Sequence, residues 1–192
     1  MFRLEAALGL QAALRLAGGH ADGLMLLPTQ PEAVWRSFAA ALICWPAFIA
    51  LRLMVYAETG SDLGIGLIIV IETCAYAVSW FGFALASRHL AGLLGVQLRW
   101  PRFLAAWNWT NVVQYLLAMA GELPNWLGLP RTVLIATTVV AGLAAIFVEW
   151  QSVRLALGLR GPLAALVVVL DIAVSLLARG VADAVLASAA SS

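Results

Sequence analysis

Apolar stretches close to the length of a bilayer crossing recur along the chain, and no other feature limits its folding as much. Five can be drawn, running approximately from Ser37 to Tyr56, Leu63 to Ala86, Phe103 to Ala120, Thr132 to Val153 and Pro162 to Leu186. Each is near the ~20 residues that a helix needs to cross ~30 Å of hydrocarbon. A backbone in that medium must satisfy its own hydrogen bonds, so each stretch is expected to be helical. Composition agrees: the sequence is 64% hydrophobic and 11% charged, whereas a soluble domain has roughly 45–50% apolar and about 25% charged residues.

The expected fold is therefore all-α, a polytopic transmembrane bundle of about five helices over residues 31–192, preceded by a cytoplasmic or interfacial segment over residues 1–30. Breaks between stretches are marked by Glu58-Thr59-Gly60-Ser61-Asp62, by Arg99-Trp100-Pro101-Arg102, by Pro124 and Pro130, and by Gly158 through Pro162. These connections are short, so consecutive helices are expected to run antiparallel. Met1 to Ala17 is a good helix former, but its leucines spread over more than one side of a helical wheel. A helix at the membrane interface is the first expectation for it, and a helix packed on the bundle is the alternative. Glu5 and Arg15 interrupt any apolar signal-peptide core.

Arginine placement suggests an orientation. All 11 basic residues are arginine, and eight of them (Arg3, Arg15, Arg36, Arg88, Arg99, Arg102, Arg154 and Arg160) fall on one side of the five-span scheme. Arg52, Arg131 and Arg179 lie at or near span ends on the other side. The positive-inside rule then puts the N-terminus in the cytoplasm and the C-terminus outside. Trp35, Trp100, Trp126 and Trp150 near span ends suit an aromatic belt. A net charge of +1 provides no basic patch for nucleic acid. Cys44 and Cys74 both fall within spans and read as reduced apolar side chains.

Polar residues inside the apolar stretches are where chemistry would reside. Asn108, Asn111, Glu149 and Asp171 come from three different helices. Rise per residue puts Asn108 and Asn111 about 8–12 Å, Glu149 about 6–8 Å and Asp171 about 13 Å from the cytoplasmic boundary. One reading of this layer is interhelical packing, worth roughly 1 kcal/mol or less per hydrogen bond. The other is a polar cavity for an ion, a proton or a small polar ligand. Glu72 belongs to a layer nearer the outer face, where Arg52 and Arg179 reach similar depths and nominate themselves as ion-pair partners. The chain has no Gly-x-Ser-x-Gly, His-Glu-x-x-His, P-loop or Cys-x-x-Cys motif, and its histidines are His20 and His89. No catalytic residue, metal ligand or cofactor site is expected from these patterns. Small residues four apart, Ala75/Ser79, Gly82/Ala86 and Ala141/Ala145, permit close helix approach within the bundle or between copies.

Pro31 followed by Trp35, the entry Trp100-Pro101-Arg102-Phe103 to a span containing Asn108, and Ala156-Leu157-Gly158 before the last span together resemble the Yip1-like superfamily of five-span membrane proteins in its bacterial form. The resemblance implies five helices and a cytoplasmic N-terminus. Eukaryotic members recruit small GTPases, but the acidic cytoplasmic domain and Tyr-Gly-Pro type motif of those members are absent here, so that activity is not carried over. It supplies no ligand-binding residue. The expectation is a non-enzymatic protein of a bacterial inner membrane that organises or assists other membrane components, with lipid, a membrane-protein partner or a second copy as its neighbours. One rival is an accessory subunit of a respiratory or photosynthetic complex. The other is a small permease-like protein with an intramembrane polar cavity.

Overall fold

The computed structural model describes residues 2–59 and 63–191. Part of the break drawn at Glu58 to Asp62, residues 60–62, lies outside the described residues. Those described are helical almost throughout, and no strand occurs among them. The elements are α1 (Phe2–Ala17), a 3-10 turn (Ala21–Leu26), α2 (Pro31–Arg36), α3 (Ala39–Thr59), α4 (Ile65–Leu93), a second 3-10 turn (Gln97–Arg99), α5 (Trp100–Trp126), α6 (Arg131–Leu157) and α7 (Gly161–Ala190).

Local chemistry fixes several of these ends. Proline in the first turn of α5 and of α7 supplies a helical φ where an N–H would have no acceptor. Gly158 ends α6 in the left-handed region at φ 64°. A side chain at that position would also collide with the Arg99 guanidinium, which donates to the Leu157 carbonyl at 2.9 Å.

Four stretches among the described residues are long and apolar enough to cross a membrane: Val34–Glu58, Ile65–Leu93, Arg131–Leu157 and Gly161–Ala190. That is one fewer than the five drawn from hydropathy. The third drawn stretch, Phe103 to Ala120, does lie within one long helix, α5, but α5 lacks the apolar character of the other four. Its environment explains the difference. α5 touches α1, α2, α3, α4 and α6 and buries Phe103 through Thr110 without interruption. A helix surrounded by protein can carry polar side chains that lipid would exclude.

The bundle is organised as two antiparallel pairs, α5 with α6 and α4 with α7, which make its most extensive helix contacts. Small residues form both seams, as the need for close approach between apolar helices dictates. A Cβ on Gly121 would lie 3.0 Å from Ala141 Cβ, and Thr137 donates to the Gly121 carbonyl at 3.0 Å. On the other seam Gly82 faces Val174 and the Ser79 and Ser175 hydroxyls meet at 3.0 Å. The backbones of α4 and α5 stand apart, and aromatic side chains reach across part of the gap and leave space beside them.

The N-terminal helix follows the alternative of packing on the bundle: α1 contacts α5 and α6 and buries Ala12, Ala13 and Leu16. Gly9 allows this, because any side chain there would run into the Trp109 indole. The outer surface of the bundle, including Leu42, Val78, Leu85, Val140, Leu143 and Leu177, is exposed and apolar, as a lipid-facing surface should be.

Candidate functional site

The space between the two helix pairs is a cavity of about 360 Å³, within the ~300–1,000 Å³ range of small-molecule sites. One wall is aromatic. Tyr76, Trp80 and Trp107 line it and form a ladder, with ring centroids 5.6 Å apart for Tyr76–Trp80 and 5.0 Å for Trp80–Trp107. Tyr115 lines the cavity beyond Tyr76, at 6.4 Å.

The side adjoining Trp107 is acidic. Glu149 from α6 and Asp171 from α7 line the cavity, are 4% and 8% exposed, and bring their carboxyl groups within hydrogen-bonding reach of each other. Neutral donors hold each in place: Trp107 Nε1 donates to Asp171 Oδ2 at 2.7 Å and Gln114 Nε2 to Glu149 Oε2 at 3.0 Å. Glu149 Oε1 is buried with no hydrogen-bond donor among the described residues. Neither acid forms an ion pair with a described basic residue. Two carboxyl groups this close in a low dielectric cannot both hold a charge unaided, so the pair takes up either a shared proton or a bound cation.

Glu72 also lines the cavity, but its charge is compensated. Its Oε1 lies 2.7 Å from Arg52 Nη2, accepts from Arg52 Nε at 2.8 Å and from the Tyr56 hydroxyl at 2.8 Å. Arg52 Nη2 continues to Asp183 Oδ1 at 3.1 Å. Excellent geometry and several hydrogen bonds are what a buried ion pair needs to offset its desolvation. Of the two arginines that depth nominated, Arg52 is the partner. Arg179 lines the cavity from α7 and forms no ion pair or hydrogen bond among the described residues.

The polar layer read from depth divides in two. Glu149, Asp171 and Asn111 share the cavity, although the Asn111 amide nitrogen is engaged with the Trp107 carbonyl at 3.0 Å. Asn108 is fully buried elsewhere and donates to the Ser37 hydroxyl at 2.7 Å, so it ties α5 to the entry of α3. Nearby, the Thr110 and Ser152 hydroxyls meet at 2.9 Å and tie α5 to α6. Trp107, Tyr56 and Asp183 escaped sequence reasoning. An indole in an apolar run reads as bulk, and its donor is found only by asking where a buried Trp N–H goes. Asp183, near the end of a span, looks solvated.

Comparison of the chain with family models, with curated proteins and with solved structures gives no match. Its chemistry must therefore be argued from the site itself. A carboxyl pair with no basic partner among the described residues, lining an intramembrane cavity together with aromatic rings, can bind a small positive group by charge, by hydrogen bonding and over the ring faces.

Proposed function

We propose that this chain is a small permease-like protein of a bacterial inner membrane whose cavity binds a small organic cation at the Glu149–Asp171 pair. The observation that carries the reading is the pair itself: two buried carboxyl groups in contact, lining a cavity, with one oxygen lacking a donor and no ion pair to an arginine among the described residues. A pair retained only for packing would gain nothing from standing against an open space. The aromatic wall favours an ammonium over a bare ion, because ring faces attract cations and tolerate their methylenes. Organising other membrane proteins, the first expectation from sequence, would use the outer helix faces, whose apolar side chains fit lipid equally well.

The same proposal includes five crossings, with α5 as an inner one, and a cytoplasmic N-terminus. The length of α5, the short connections on either side of it and the arginine bias support that arrangement, which is also what the Yip1-like resemblance implies. The test is uptake of radiolabelled n-propylamine into proteoliposomes. Asp171→Asn should reduce uptake about tenfold or more, the loss expected for one charge-assisted hydrogen bond, with little change in melting temperature. Equal uptake by wild type, variant and empty liposomes would end the reading.

A further inference from the structure

The cavity is also lined by a cation that no described residue pairs with, and its placement narrows the ligand class. Arg179 lines both the inner cavity and a larger cleft of about 960 Å³ formed by the ends of α3, α5 and α6. It is exposed and has no ion-pair or hydrogen-bond partner among the described residues. Its neighbour in the cleft, Arg52, differs in kind, being held by Glu72 and Asp183. Once that network is set aside as internally neutralised, two unmet charge demands remain along the cavity: negative at Glu149–Asp171 and positive at Arg179.

Both ends are on one helix. Asp171 and Arg179 are two turns apart on α7, a rise of about 12 Å. A long helical side chain leans back toward its helix N-terminus, which turns the guanidinium toward the acid pair and shortens the distance without closing it. An arginine is planar and offers paired donors that match a carboxylate. Resting on the cation-binding reading above, we propose that the solute is a zwitterion: a linear ω-amino acid with its ammonium on Glu149–Asp171 and its carboxylate on Arg179. The separation of the two seats disfavours α-amino acids, whose charges are too close to reach both.

Equilibrium binding to the full chain in lipid nanodiscs tests this with γ-aminobutyrate, n-propylamine and butyrate as probes. Wild type should bind γ-aminobutyrate about tenfold more tightly than n-propylamine, and butyrate weakly. Arg179→Gln should bring the ratio of the two amines to near one, and Arg179→Lys should restore part of it, since an ammonium keeps the charge but not the paired geometry. A ratio near one in wild type, or a ratio that Arg179→Gln leaves unaltered, overturns the carboxylate seat while amine binding still stands. If no amine binds wild type, the cation-binding reading fails and this inference falls with it.

Discussion

Glu72 and Asp171 carry the same formal charge and differ in what surrounds them, and that difference sets their roles. Glu72 Oε1 receives two guanidinium nitrogens and a phenol, so removing its charge leaves Arg52 with Asp183 alone. Glu72→Gln should therefore destabilise the fold by about 2 kcal/mol or more, somewhat below the usual cost of breaking a buried pair because Asp183 remains. Unfolding in a denaturing detergent reads this, and the Arg52→Gln/Glu72→Gln double variant should lose less than the sum of the singles. Additive losses would mean that the contact contributes nothing. Asn108 gives the contrasting case: Asn108→Ala removes its bond to Ser37, should lower stability by about 1–2 kcal/mol and should leave amine affinity alone. A parallel fall in affinity would place Asn108 in the site. Matching depths along the sequence were enough to nominate Arg52 and Arg179 for Glu72, because ion pairing in a membrane restricts partners to the same level, but not to choose between them. Depth says nothing about azimuth, which is why Asn108 and Asn111 looked alike and face different surroundings.

At the level of elements, α5 was the hardest to read. Its polar residues lowered its hydropathy and shortened the drawn span, although they mark the helix that other helices surround. The pairing of α4 with α7 was equally hidden, since Ser79 and Gly82 announce a close seam without naming the partner. α1 shows the same limit, for a weak stripe of leucines cannot distinguish lipid headgroups from a groove between helices. Gly9 supplies the missing information only once Trp109 is seen against it. Gly9→Val should lift α1 from α5, lower stability by about 1–3 kcal/mol as overpacking does, and open the Gly18–Gly19 turn to protease in detergent. Unchanged cleavage and melting would show that α1 docks by another surface.

For the molecule as a whole, the arrangement of two helix pairs around a polar cavity follows from where apolar and small residues fall, while the cavity's charge pattern follows from a handful of side chains. Five crossings require the termini on opposite sides. Reporter fusions should be active in the cytoplasm at the N-terminus and outside at the C-terminus; activity of both fusions in the cytoplasm would leave α5 as a helix packed within four spans. The central claim is that Glu149 and Asp171 form a seat for positive charge, and equilibrium binding of n-propylamine to wild type and to the Glu149→Gln/Asp171→Asn variant in nanodiscs tests it most directly. Saturable binding by wild type, weakened at least about tenfold in a variant that melts near wild type, is the expected result. Binding that is absent from wild type, or equal in the two proteins, would contradict it.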